Sequence, residues 1–324
     1  MSEVGAALIG PSGMWGPKIA AAAARAGNLR LVTCYGRDEE RRRAFAEERA
    51  IEAADSFEAA VEHRDVEAVL LVTPNDVHAE QALACAERGR HVFVEKPIAD
   101  TLAAAERMRD AFAAAGLVLA VGHGMRRLGA ARRTKVLVDE GALGTVVLAE
   151  ANWSLSARLS PQVWRWYRDR NRGGPLLQLG VHHADTLAYW LGPIARSQGT
   201  FGHVATEAEA DDVGVVAVEF ASGARGVIAG SYVSPPTYTL RLVGTEAVLE
   251  YGIDMSVWPQ AEKADAASTL VLRRRDGREE VAFPDRDPLA EELAEFARAV
   301  RGEDGPETGA EEGIAALRVI VEAL

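Results

Sequence analysis

The sequence predicts an α/β fold: a doubly wound parallel sheet at the N-terminus, then an α+β domain whose sheet is mostly antiparallel. Three observations predict it. Up to residue 122, short apolar runs alternate with helix-like stretches of about 10–15 residues, most of them stopped by glycine. From residue 123 onward, valine-rich runs follow one another with only glycine, serine and proline between them. A chain of 324 residues also exceeds one comfortable core and suits two domains. The expected boundaries are 1–122 and 123–324, with the C-terminal helix packing back on the first domain.

In the first domain, strands are expected at Val4 to Ile9, Leu29 to Tyr35, Ala68 to Val72, His91 to Val94 and Leu117 to Val121. Helices are expected at Pro17 to Ala26, Glu39 to Glu48, Asp76 to Arg88 and Thr101 to Ala115. Such alternation requires right-handed crossovers and a parallel sheet covered on both faces. In the second domain, a helix at Ala130 to Glu140 precedes strand-like runs at 146–155, 213–220, 225–233, 238–243 and 247–251. Helices at Pro288 to Val300 and Ala310 to Ala323 close the chain.

A net charge of −12 repels phosphate backbones and argues against nucleic acid as a partner. The one basic cluster, Arg37 with Arg41, Arg42 and Arg43, is interleaved with Asp38, Glu39 and Glu40 and reads as a solvated helix face. Cys34 and Cys85 form no CxxC pair and no metal-ligand spacing, so a reduced, cytoplasmic chain without a metal is expected. The N-terminal MSEVGAALIGPSG lacks the basic start of a signal peptide. No apolar run reaches the ~20 residues that span a bilayer.

In parallel sheets ligands bind beyond the carboxyl ends of the strands. After the first strand comes Gly10-Pro11-Ser12-Gly13-Met14-Trp15-Gly16. Glycines let a backbone turn tightly and approach a pyrophosphate, which then sits at a helix N-terminus. The spacing is GxxGxxG rather than GxGxxG, so Gly10, Ser12, Gly13, Met14 and Trp15 are candidate cofactor contacts. After the second strand, Gly36-Arg37 places a cation where the 2′-phosphate of NADP would be read, which points to NADP over NAD. Asp38 beside it is the residue that could reach a ribose instead. Thr73, Pro74, Asn75 and His78 follow the third strand, and Glu95, Lys96 and Pro97 the next, and they are further candidate cofactor contacts on the same rim.

Four motifs, GPSGMWG, VTPNDVHAE, GRHVFVEKPIA and GGPLLQLGVHHADTLAYWLG, together with the tail PETGAEEGIAALRVIVEAL, resemble the glucose–fructose oxidoreductase / inositol dehydrogenase / MocA (Gfo/Idh/MocA) family of NAD(P)-dependent oxidoreductases. The similarity spans nearly the whole chain. It implies a Rossmann domain followed by a large open sheet that packs substrate and supports a homodimer or homotetramer. It implies that Lys96 lies beside the nicotinamide and hydrogen-bonds the substrate oxygen; an ammonium there stabilises developing alkoxide charge. A cis bond at Pro97 is compatible with the turn.

The resemblance also implies a D-x-x-x-H-x-x-D element in the expected helix Leu177 to Leu191. His182 matches the histidine, the acid/base for the hydroxyl proton, and Asp185 the last aspartate, which orients the ring or binds substrate. His183 points to another face and reads as structural. Gln178 stands in the first aspartate's place. It can bond a sugar hydroxyl but brings no charge to tune the histidine, so inositol or glucose specificity does not transfer simply. Trp164-Arg165 matches a pair that contacts nicotinamide in some members, and suits stacking on a sugar face. His123 to Arg127 falls where the family has Asn-x-Arg, at the cofactor edge. The expected activity is hydride transfer between nicotinamide and a secondary alcohol or carbonyl of a sugar, cyclitol or related polyol. The rival expectations are NAD-dependent glycoside hydrolysis through transient oxidation, and a non-catalytic dinucleotide-binding regulator.

Overall fold

A computed structural model describes residues 3–257 and 263–324. The chain divides into two compact units, one formed by the chain up to His123 with Leu289–Ile314, the other by Gly124–Pro288 with Ala315–Leu324.

The first unit contains a six-stranded parallel sheet among the described residues, in the order β3-β2-β1-β4-β5-β6. The strands are β1 (Val4–Ile9), β2 (Leu29–Tyr35), β3 (Glu52–Ala53), β4 (Ala68–Leu71), β5 (His91–Glu95) and β6 (Leu119–Gly122). Every residue of β1, β4 and β6 is buried, as expected of strands covered on both faces. The covering helices are α1 (Gly16–Ala26), α2 (Glu39–Arg49), α3 (Phe57–Glu62), α4 (His78–Glu87) and α5 (Leu102–Ala115). Gly27 and Gly116 end α1 and α5 in the left-handed conformation that glycine adopts without a Cβ penalty.

The sequence reading missed β3 and α3. The first has two residues, but α3 carried a signal: Ser56 caps it by accepting the Ala59 N–H. The expected second domain of 123–324 also loses residues 289–314 to the first unit. The cause is apolar. In α8 (Pro288–Val300), Leu293, Phe296 and Ala297 are buried, and the Phe296 ring lies 6.0 Å from Phe93 of β5. Beyond it, the Val121 N–H donates to Thr308 O and the Thr308 hydroxyl donates to Val121 O, each at 2.8 Å. The last helix, α9 (Ala310–Val321), begins in the first unit and ends in the second.

The second unit is built on an eight-stranded sheet among the described residues, ordered β14-β13-β12-β11-β7-β10-β9-β8. Its strands are β7 (Val146–Ser156), β8 (Ile194–Gly202), β9 (Val213–Phe220), β10 (Arg225–Ser231), β11 (Val233–Gly244), β12 (Val248–Ile253), β13 (Ser268–Arg274) and β14 (Gly277–Glu280). All pairings are antiparallel except β7 with β10. β11 slips register between Val233 and Thr237, where Pro235 and Pro236 supply no N–H to the ladder. The helices are α6 (Gly129–Asp139) and α7 (Val181–Leu191). Among the described residues no helix is long and apolar enough to cross a membrane.

Candidate active site

The carboxyl ends of β1, β2, β4 and β5 share one edge of the parallel sheet, so the loops that follow them form one rim. The glycines there are dictated by space. Gly10 has φ +96°, and a Cβ on it would sit 2.9 Å from the main-chain oxygen of Val72. A Cβ on Gly16 would fall 2.2 Å from the Pro11 oxygen, so the loop closes tightly on the start of α1. Gly13 meets nothing nearer than 3.5 Å and is exposed with Ser12 and Met14. No side chain caps α1, and its first turn holds no acidic residue. A helix start of this kind, with its dipole pointed at an exposed glycine loop, fits the pyrophosphate of a dinucleotide. Trp15 lies under the Lys18 ammonium at 4.7 Å.

Beyond β2, the buried Arg42 holds the Gly36 carbonyl at 3.0 Å and stacks 5.7 Å from the Tyr35 ring. Arg37 is exposed. Asp38 is committed to α2: it is the N-cap, accepting the Arg41 N–H at 3.0 Å, and pairs with the Arg41 side chain. The carboxylate next to Arg37 is thus a helix cap.

Thr73, Pro74 and Asn75 follow β4 on the same rim. The Thr73 hydroxyl lies 2.7 Å from Gln81 Oε1. His78, expected as a cofactor contact, faces the other way. It is 1 % exposed, with Nε2 2.8 Å from Thr73 O and Nδ1 3.0 Å from Pro97 O. Both ring nitrogens face main-chain carbonyls, so the ring serves the loops and not a ligand. Burial lowers its pKa, opposed by the two carbonyls.

Glu95, Lys96 and Pro97 end β5, and the Lys96–Pro97 bond is cis. Lys96 is half-buried while Glu95 and Pro97 are buried. Glu95 Oε2 accepts the Lys96 N–H at 3.3 Å. Burial pushes the Glu95 carboxyl up to about 7, against the pull of the Lys96 and Lys18 charges. Lys18, on α1, was not singled out by the sequence.

In the second unit, Gly173 and Gly174 take positive φ, and a Cβ on Gly174 would meet Asp211 O at 2.0 Å. The expected single helix from Leu177 begins instead as a π-helix over Leu176–Gly180, whose Val181 N–H bonds back to Leu176 O, before α7 starts. Gly180 permits this: a Cβ there would lie 2.9 Å from the Leu176 side chain. Such wide turns are frequent at functional sites. Gln178 and His182 are each 6 % exposed. The His182 ring lies 5.1 Å from Trp153 of β7, tilted by 32°. His183 is fully buried between Trp153 and Tyr238, and burial lowers its pKa to about 4, keeping it neutral.

Asp185, expected to orient His182 or to bind substrate, has another partner. Arg126 donates from Nε to Oδ2 at 2.8 Å and from a terminal nitrogen to Oδ1, both residues being buried. This bidentate pair takes up the carboxylate and anchors α7 to the segment before α6. Arg126 also stacks 5.1 Å from Tyr189. Trp164 and Arg165 share a short 3-10 turn, with the guanidinium 4.4 Å over the indole. Asn171 Nδ2 donates to Arg165 O at 3.2 Å, and the Arg165 charge faces the buried Tyr232 hydroxyl. His123 is buried at the end of the first unit. Trp153 and Tyr232 escaped the sequence reading because in strands of alternating apolar residues nothing distinguishes a ring that supports a site.

Comparisons with known proteins agree with this layout. The family model described as "Oxidoreductase family, NAD-binding Rossmann fold" matches residues 4–123, and that of the GFO/IDH/MocA C-terminal domain matches residues 131–250. The chain is 31% identical over 299 residues to a 1,5-anhydro-D-fructose reductase of Ensifer adhaerens, covering 91% of this chain and 88% of that one. It is 28% identical to a D-xylose 1-dehydrogenase (NADP(+)) of Haloferax volcanii, over 97% and 94% of the two chains. A crystal structure from Desulfitobacterium hafniense, provisionally described as an NADPH-dependent oxidoreductase, superposes with a TM-score of 0.95 at 34% identity, covering 99% and 94%. The chain therefore belongs to the GFO/IDH/MocA family of oxidoreductases with an NAD-binding Rossmann fold.

Proposed function

We propose that the protein is an NAD(P)-dependent oxidoreductase acting on a secondary alcohol or carbonyl of a sugar, cyclitol or related polyol, with a lean towards NADP. The observation that carries this reading is the rim of the parallel sheet, where the glycine loop, the Thr73-Pro74-Asn75 loop and the Lys96 turn end adjacent strands. Relatives named as a sugar reductase and a sugar dehydrogenase support the substrate class. When bound, the nicotinamide supplies the hydride acceptor or donor.

The protein's own residues do the rest. Gly10, Ser12, Gly13, Met14 and Trp15 would hold the pyrophosphate, and Gly36 and Arg37 the adenosine ribose. Lys96 polarises the substrate oxygen and stabilises negative charge there. His182 takes or gives the hydroxyl proton. Gln178, Trp164 and Arg165 contact the sugar. Asp185 acts through Arg126 and α7 rather than on the substrate. The NADP lean rests on an exposed Arg37 beside an Asp38 engaged as a cap. A homodimer or homotetramer is supported by the open sheet of the second unit, on which Val147 and Val215 are exposed. A reducing, cytoplasmic setting is supported by two buried free cysteines, whose thiols burial pushes up to about 11 and about 12.

The test is thermal stabilisation by NAD(H) and NADP(H) in parallel, followed by turnover on a panel of sugars and polyols. NADP(H) is expected to raise Tm more, and Arg37→Ala to weaken NADP binding by about 10-fold through loss of a charge-assisted bond. Lys96→Ala is expected to keep cofactor binding and to lose turnover by about 10²–10³-fold. Stabilisation by none of the four nucleotides would overturn the reading.

A further inference from the structure

The peptide that carries Lys96 is gripped on both sides. On one side, the Lys96 N–H donates to Glu95 Oε2 at 3.3 Å. On the other, the Pro97 carbonyl lies 3.0 Å from His78 Nδ1. The two gripping side chains are 6 % and 1 % exposed. Neither side chain competes with solvent for these contacts. His78 Nε2 lies against Thr73 O at 2.8 Å, so the same ring joins the loop after β4 to the turn after β5. A neutral imidazole carries one N–H and can donate to one of these carbonyls; the imidazolium donates to both. The groups facing the ring besides the two carbonyls are Asp76 from its own segment and Lys96 from the turn. The Glu95 carboxylate has room reserved for it. Gly122 stands opposite it on β6, and a Cβ there would lie 3.3 Å from both Glu95 Cδ and Oε1.

We infer that His78 and Glu95 are positioning residues for Lys96: they clamp the main chain before and after it and set where its ammonium stands relative to the Thr73-Pro74-Asn75 loop. The inference deepens the oxidoreductase reading and rests on it for its effect on rate. Placement to well under 1 Å is what such a clamp supplies, and a 1 Å misplacement can cost about 10²-fold in rate. A long side chain such as lysine inherits any freedom of the peptide that bears it, so fixing the peptide is the first requirement for fixing the amine.

The experiment uses the full chain with His78→Phe, His78→Gln, Glu95→Ala and Glu95→Gln, each made also in the Lys96→Ala background. Three quantities are read: kcat, cofactor affinity, and the resonance of Lys96 after ¹³C reductive methylation, assigned by its absence in Lys96→Ala. His78→Phe and Glu95→Ala are expected to lower kcat by about 10–100-fold with cofactor affinity changed less than about threefold. Glu95→Gln keeps an acceptor for the Lys96 N–H, and His78→Gln keeps a donor, so both recover part of the loss. In the Lys96→Ala background the same substitutions cost nothing further, because they act through the lysine. The Lys96 resonance shifts or broadens in His78→Phe and Glu95→Ala and stays near wild type in Glu95→Gln. Should His78→Phe not fold, His78→Gln carries the test at that position. Lowered Tm with unchanged kcat and an unchanged Lys96 resonance would overturn the inference, as would equal losses in both backgrounds. Absence of any dinucleotide binding or turnover in the wild type would overturn the oxidoreductase reading instead, and the Lys96 resonance would still decide whether the clamp exists.

Discussion

The two candidate catalytic residues are held in different ways. Lys96 stands on a turn whose backbone is fixed by polar contacts, with Glu95 on one side and His78 on the other. His182 stands at the start of a helix supported by rings and by one buried ion pair: Trp153 lies 5.1 Å from its ring, and Arg126 binds Asp185 one turn further on. A flexible side chain that must deliver a point charge needs its main chain fixed. A planar side chain that must deliver a proton in one orientation needs a flat neighbour. The first solution uses residues that follow or end two neighbouring strands on one sheet rim, within 19 positions of one another. The second gathers residues from β7, from the segment before α6 and from α7.

This contrast can be broken in three places. Replacing His182 by Asn removes the acid/base and keeps a polar side chain; kcat is expected to fall by about 10²–10⁴-fold with cofactor affinity unchanged. Equal turnover in that variant would leave Lys96 as the only chemical group and end the comparison. Replacing Arg126 by Met leaves Asp185 charged and buried, which is expected to cost about 3–5 kcal/mol of stability in denaturant titration; adding Asp185→Leu should recover much of it. A loss under 1 kcal/mol, on the order of a surface pair, would show that α7 does not depend on the pair.

The third concerns His183, whose folded pKa of about 4 lies below the ordinary 6.5. The unfolded chain takes up a proton that the folded chain refuses, so stability is full above about pH 6.5 and falls as pH drops towards 4, by on the order of 3 kcal/mol for this group. His183→Gln should flatten that part of the profile, measured as the difference in unfolding free energy between pH 7 and pH 4.5. An unchanged slope would mean that the ring titrates normally and is not sealed among Trp153 and Tyr238.

Legibility in the sequence follows the same division. The rim could be read because parallel strands announce themselves as apolar runs, and each run is followed at once by its functional loop. Gly10, Arg37, Thr73 and Lys96 were therefore findable by position alone. His78 was found but given the wrong task, since a histidine pointed at a ligand and one turned onto two carbonyls look alike in one dimension. The second unit was harder. Arg126 and Asp185 are 59 positions apart, and no local spacing links them. Trp153 looks like any apolar residue in an alternating strand. Strand β8, with all of its residues exposed or half-exposed, carries no apolar period to mark it. The hairpin of β13 and β14 did carry a turn signal, Asp276-Gly277, beside an apolar run.

The order of the chain has a consequence for how the molecule is made. The chain leaves the first unit after His123 and comes back to complete it with Leu289–Ile314 before ending in the second. During synthesis the six strands of the parallel sheet leave the ribosome early. Phe296, which packs on β5, and Thr308, which bonds β6, arrive only after most of the chain has been translated. The dinucleotide half is thus first in sequence but finished late, and a nascent chain arrested anywhere before residue 289 carries Phe93 and Val121 without the partners that the mature protein provides.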